Sequence, residues 1–385
     1  MVAEATKSKP RNVFEARLAK NGTVRLLNAA VIYGPNASGK SNVIKALFSL
    51  SKLVTLSDGF KIDSDIPCYE PFLLDLGSKE RPTRFELSFI GKDEVKYIYT
   101  VEFGRKEVFV ETLDFYPKGQ QNRLFSRQRT DEGFHELVPG GDLKKTGLVK
   151  RVLKNQLLLS RYGTEPHEQL NDVYRFFQET EVVANSSTQV DQLVDDLGRK
   201  IIQPRYESLK KSIESLVNAA DTKIAGISVT DVKALNDVAQ TQIFTRRSIF
   251  EDGKKIDEIE FDLKKGDSIG TRTLVALGGL IYEKLQNGGL VVIDELDSSL
   301  HPKLTRYLVQ LFSNPEINTK NAQLIFTTHQ PLLMEKEMFR SDQIWFTDKN
   351  DFGETELYSA QHFDGVREDI PFDKWYMAGK FGALP

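Results

Sequence analysis

Cysteine is all but missing from this chain. Cys68 stands alone in 385 residues, so no disulfide can close within it, and a thiolate-rich metal site is excluded. No stretch approaches the roughly 18 consecutive apolar residues that a membrane-spanning helix needs. The polar start, residues 1–11, lacks the apolar core of a signal peptide. Neither sign of charge prevails: 52 basic and 55 acidic residues give a formal net charge of −3, and no global field draws the chain towards nucleic acid. These absences predict a soluble, cytosolic protein with no membrane partner. The length allows one large domain or two to three smaller ones.

What the chain does have is an apolar Val31-Ile32-Tyr33 followed by Gly34, Pro35, Asn36, Ala37, Ser38, Gly39, Lys40, Ser41 and Asn42. Residues 34–41 fit G-x-x-x-x-G-K-[ST] without a gap, with a strand-like run before and a helical run (42–56) after, which is the context the motif requires. Glycines let successive backbone N–H groups turn inward at phosphate oxygens. The helix start adds unpaired N–H groups and a positive dipole end. Lys40 is placed to reach the β and γ phosphates of ATP, and the Ser41 hydroxyl to hold Mg²⁺.

A second set of residues lies far along the chain. Residues 290–295 form an apolar run ending in Asp294 and Glu295, as a buried parallel strand would, and α/β sheets place ligands at such strand ends. Asp294 is a candidate Mg²⁺ ligand, and Glu295 a candidate base for the attacking water. Before them Ser268, Gly270, Thr271 and Arg272 open a helix-patterned run, a further anion-binding start. After them come residues 296–302 and a second apolar run, 323–329, ending in His329.

Between these sets, residues 84–116 alternate with period two, which predicts an antiparallel meander. Residues 1–23 read as irregular. Apolar steps of three and four from Val190 to Leu216 predict amphipathic helices broken at Pro204, either packed on one core or projecting as an arm. Lys144, Lys145, Lys150, Arg151 and Lys154 form a basic cluster, read as a solvated helix face or a phosphate-backbone contact. His301 is expected to cap or pack. The C-terminal segment 376–385 is expected to dock onto the body or a neighbour.

The order of these motifs resembles the ATP-binding-cassette ATPases of the SMC, RecF and OLD type. In that likeness residues 34–41 correspond to Walker A and residues 268–271 to the signature. Asp294 and Glu295 correspond to Walker B, residues 296–300 to the D-loop, and His329 to the switch histidine. The resemblance implies two heads sandwiching two ATPs, with Ser268, Gly270 and Thr271 acting in trans, while Lys40, Glu295 and His329 act in cis. Residues 30–46, 70–72, 344–349 and 376–385 are similar to the prokaryotic RloA-like and abortive-infection AAA-type subgroup. Many of its members sit in anti-phage operons beside a TOPRIM-like or HNH nuclease. Residues 70–75 contain no glutamine for a Q-loop. Members also begin with a strand upstream of the equivalent of Met1, implying here a later start or a sheet edge completed otherwise.

The expected fold is therefore α/β: an ABC-type P-loop head with a mixed central sheet, an antiparallel β layer and a helical insertion. The expected divisions are 1–140, 141–235 and 236–385. The expected function is an ATPase that senses or regulates in anti-phage defence and controls a separate effector nuclease. Its partners would be a second copy of itself and a trigger that is DNA or a phage protein. Two alternatives are a RecF-like DNA-binding repair ATPase and a nucleotide-gated scaffold with little turnover. No acid constellation of a TOPRIM or HNH centre follows His329.

Overall fold

Strands too apolar to face water on either side set the middle of the molecule. In the computed structural model Ala29–Tyr33 is buried throughout, and Leu290–Ile293 nearly so. The model describes all residues except 7, 20–21, 134, 142, 147–150, 185, 221–222, 234–238 and 384–385, and the side chains at 145–146, 232–233 and 239–240 are also not described. Lys150 and the Lys145 side chain of the basic cluster, and the last two residues of the C-terminal segment, thus lie outside the described residues.

Glu181–Val183, Leu290–Ile293, Gln323–Thr327, Ala29–Tyr33, Ile344–Lys349 and Thr355–Ser359 lie side by side in that order. The first five are parallel and the last is antiparallel. Side chains alternate between two cores, as the pleat requires. Val31, Tyr33, Val291 and Ile293 join Leu274, Leu277 and Ile281 of the helix Ile269–Asn287. Ile32 and Val292 face the opposite way, against Ile44 of the helix Lys40–Leu56. Every parallel strand therefore ends at the same edge, covered on both faces.

The helical stretch is no detached arm. Val190, Val194 and Leu197 of Ser187–Ile201, with Ile213 and Leu216 of Glu207–Ala219, belong to the same core as Ile269–Asn287. Two glycines make the contact possible: a Cβ at Gly278 would sit 2.3 Å from Leu216, and one at Gly279 2.7 Å from Leu197. The stretch 141–235 also supplies the edge strand Glu181–Val183. A three-stranded antiparallel sheet of Gly226–Lys233, Ala239–Glu251 and Lys254–Asp262 runs across residue 235.

The expected meander is present and larger: Thr83–Ile90, Lys96–Phe103, Val108–Tyr116, Asn122–Arg129 and His135–Pro139 form one antiparallel sheet. Its apolar alternation slips because Phe103 pairs with Val108 and Glu102 with Val110, leaving Phe109 as an extra residue. The bulge turns Glu111 onto the core face, where it is fully buried. Its carboxylate accepts from Tyr99 Oη at 3.0 Å and from the backbone of Leu158 at 2.7 Å and Leu159 at 2.9 Å. The buried Arg127 guanidinium lies 3.8 Å away and donates to Leu153 O and Gln156 O. Sheet and connecting loop are thereby fastened together.

The N-terminal stretch is not irregular, contrary to expectation. Val13–Leu18 and Gly22–Leu27 form an antiparallel hairpin, and Val2 bridges to Leu26. Its exposed faces are too polar for the alternation to stand out. It is tied down from the far end of the chain: buried Arg340 donates to Glu4 O, Thr6 O and Ser8 O, while Asp342 holds the same guanidinium at 2.7 and 2.9 Å. The C-terminal segment docks as expected, with Phe372, Tyr376, Phe381 and Ala383 buried. Among the described residues no helix is long and apolar enough to cross a membrane.

Glu111→Gln should leave Arg127 buried without a countercharge and cost about 3–5 kcal/mol of stability, read as a fall in the denaturant midpoint at unchanged slope.

Candidate functional site

Residues 34–41 form the turn that leaves the buried Ala29–Tyr33 strand and enters the helix Lys40–Leu56. Gly34 has φ 154°, Ala37 63° and Gly39 108°, so the loop winds through left-handed backbone. A Cβ at Gly34 would come within 2.4 Å of Thr347 O, and one at Gly39 within 2.1 Å of Thr355 Oγ1. The same threonines grip the loop. Thr347 Oγ1 shares a 2.6 Å hydrogen bond with Ser38 Oγ, and Thr355 Oγ1 donates to Ser38 O at 2.9 Å. Neither was singled out in the sequence. Thr347 lies within the family-like stretch 344–349, whereas Thr355 has no local signal at all.

Lys40 is buried and donates to Gly34 O at 2.8 Å and Pro35 O at 3.0 Å. Burial holds its ammonium below the ordinary lysine range, opposed by the carboxylates of Glu295, Asp294 and Asp297. Parallel pairing of Ala29–Tyr33 with Gln323–Thr327, and of the latter with Leu290–Ile293, brings the two distant sequence motifs to one edge of the sheet. Asn36, Ala37, Ser41 and Asn42 are exposed around it.

The acids hang on one hydroxyl. Thr327, fully buried, donates through Oγ1 to Asp294 Oδ1 at 2.5 Å and accepts from Glu295 N at 2.7 Å. Glu295 takes φ 50°, a left-handed backbone that costs energy for a side chain with a Cβ and is found where surroundings over-determine it. Ser298 N returns to Glu295 O at 2.8 Å, and Leu296 N donates to Thr327 O at 3.1 Å. His329 Nε2 stands 3.9 Å from Glu295 Oε1, both side chains about half exposed. Its backbone N–H donates to Asp297 Oδ2 at 3.3 Å.

Ser268 caps the helix Ile269–Asn287, accepting from Thr271 N at 3.2 Å and lying 3.0 Å from Thr271 Oγ1. Gly270 has no room for a Cβ, which would meet Ser299 O at 2.7 Å, so the candidate signature and D-loop touch within one chain. Asp267, its side chain fully buried, accepts from Thr245 Oγ1 at 2.6 Å and pairs with Arg247. The strand Ala239–Glu251 therefore fixes the residue just before Ser268. Arg272 donates to Asp191 at 3.1 Å. His301 caps Pro302–Phe312 through Nδ1, as expected. Residues 70–75, where a Q-loop was sought, are tied to the P-loop helix by an exposed Glu70–Lys45 ion pair.

Whether a metal and a nucleotide fit can be asked of the cradle itself. Two missing Cβ atoms, an exposed helix start and a buried ammonium suit a polyphosphate. No cluster of three or more His, Cys, Asp or Glu among the described residues could hold a metal. Mg²⁺ is commonly bound by few protein ligands, with substrate phosphates and water completing its shell, so a site for it needs no such cluster.

A family model described as "AAA domain, putative AbiEii toxin, Type IV TA system" matches residues 29–335. The chain is similar to the Retron Vc95 probable ATPase of Vibrio cholerae serotype O1 biovar El Tor, 27% identical over 137 residues. That match spans 35% of this chain and 24% of the relative's length. Among solved structures it is similar to an SMC head bound to the C-winged helix domain of ScpA. That likeness has 13% identity and a TM-score of 0.37, covering 90% of this chain and 96% of the other.

Thr327→Val should leave the Glu295 N–H unsatisfied and free Asp294, lowering stability by about 1–3 kcal/mol, measured by equilibrium unfolding. An unchanged midpoint would show that the hydroxyl does not carry these contacts.

Proposed function

The chain belongs to this AAA-domain family, and from that premise we propose that it binds and hydrolyses ATP at the shared edge of the parallel strands. The observation that supports the reading best is the parallel pairing that brings the ends of Ala29–Tyr33, Gln323–Thr327 and Leu290–Ile293 to one edge, beside a loop that has no room for a Cβ at Gly34 or Gly39. Backbone N–H groups of the loop and of the helix start hold the phosphates, and Lys40 turns from Gly34 O and Pro35 O to their oxygens. Ser41 and Asp294 hold Mg²⁺, which supplies charge neutralisation on the phosphates when bound. Glu295 orients the attacking water and accepts its proton, and His329 stands beside it to fix the γ-phosphate side. Catalysis then rests on positioning and preorganised charge.

Ser268, Gly270 and Thr271 complete the site of a second copy, making the active form a homodimer or a larger ring. The family's description as a putative toxin of a type IV TA system and the retron ATPase relative support a defence role, in which the chain acts as a sensor or regulator against phage. On this reading ATP-driven closure controls a separate TOPRIM-like or HNH nuclease in response to DNA or a phage protein.

Light-scattering mass of Glu295→Gln should rise when Mg·ATP is added, because nucleotide is bound and not turned over. A mass indifferent to Mg·ATP would remove the sandwich. Lys40→Ala should weaken ATP binding by about 1.5–3 kcal/mol, the worth of charge-assisted contacts, and unchanged affinity would remove the loop assignment. Ser268→Arg should bind ATP as a monomer yet fail to close and hydrolyse.

A further inference from the structure

The hairpin that pins the phosphate-binding loop carries at its tip an aromatic side chain with no part in that grip. Ile344–Lys349 and Thr355–Ser359 are antiparallel neighbours joined by residues 350–354, and Thr355 Oγ1 donates to Ser38 O at 2.9 Å. Asn350 organises the turn. Its Oδ1 accepts from the backbone N–H groups of Phe352 and Glu354, each at 3.0 Å, and its carbonyl accepts from Gly353 N at 2.9 Å. Lys349 Nζ donates to Gly353 O at 2.8 Å. Phe352 stands at this tip 77% exposed. Gly353, at φ 80°, has no room for a Cβ, which would meet Leu74 at 2.7 Å, and Leu74 is itself 72% exposed.

The turn is closed by Asn350 and Gly353 without help from the ring, and an exposed ring forgoes the burial that normally stabilises it. Its place in the fold says what covers it. Three residues of chain span at most about 11 Å, so Phe352 lies close to the loop that Thr355 grips. Sheet order supplies the direction. Asp294 and Glu295 follow Leu290–Ile293, on one side of Ala29–Tyr33, whereas Phe352 follows Ile344–Lys349, on the other. A nucleotide whose γ-phosphate faces the acids extends its base the opposite way, towards Phe352 and Leu74. A base is flat and presents a π-face, which an exposed aromatic ring can stack on.

We propose that Phe352, with Leu74 beside it, is the platform for the base of the bound nucleotide, an inference that rests on the nucleotide reading above. One hairpin then serves both ends of the ligand: Thr355 fixes the loop that holds the phosphates, and Phe352 holds the base.

Calorimetric titration with non-hydrolysable β,γ-imido ATP and with inorganic tripolyphosphate, each with Mg²⁺, reads the two ends of the ligand apart. Phe352→Ala should raise the Kd of the ATP analogue about tenfold, the worth of one base stacked on an aromatic ring, and leave that of tripolyphosphate unchanged. Phe352→Trp, which keeps an aromatic face, should bind the analogue like the wild type. Melting curves verify that both variants are folded. Analogue binding unchanged in Phe352→Ala overturns the proposal and leaves the ring for contact with another protein chain. Tripolyphosphate weakened as much as the analogue overturns it too, because the substitution then acts through the loop. Lys40→Ala is measured alongside: if it binds both ligands like the wild type, the nucleotide reading itself fails. If it loses both while Phe352→Ala behaves as wild type, only the platform fails.

Discussion

Between Gly34 and Thr347, and again between Gly39 and Thr355, there is no room for one more carbon atom. That closeness fixes the loop from outside. Thr347 and Thr355 belong to the two strands at one edge of the central sheet, and their hydroxyls bind the Ser38 side chain and carbonyl. The path of the backbone at 34–39 is thus set by a hairpin some three hundred residues along the chain. Ala37, exposed beside the pinned Ser38, takes left-handed backbone.

On the other side of the Ala29–Tyr33 strand, the same economy recurs with a different hydroxyl. Thr327 serves Asp294 and Glu295 together, so the acids move as a unit with the strand that also carries His329. Their negative charge acts back on buried Lys40, which burial alone would push further towards the neutral amine. The acids thus favour the charged form of a buried ammonium.

The helices and the three-stranded sheet serve a third part of the machinery. Gly278 and Gly279 admit Leu216 and Leu197, which seats two helices on Ile269–Asn287 and fixes its axis. Arg247 and Thr245 then hold Asp267 at its start, and Ser299 O presses against Gly270. A displacement of Ser268 is resisted from the sheet, from the helices and from the segment of Ser299 at once.

By itself the sequence determined what is local. The G-x-x-x-x-G-K-S run, the apolar strand ending in Asp294 and Glu295, the strand ending in His329 and the three-and-four spacing of residues 190–216 each carry their own period or turn chemistry. The N-terminal hairpin was not legible, because the segment before it is held by the distant Arg340 and its own faces are half polar. Two further meander strands, and the bulge at Phe109 that shifts the apolar register, likewise became visible only once partners were paired. Tertiary structure alone decided that Thr327 meets Asp294 and Glu295, that Thr347 and Thr355 meet Ser38, and that the helical stretch shares a core with Ile269–Asn287. Periodicity records which face of an element is buried; it cannot record which distant hydroxyl or ring will meet that face.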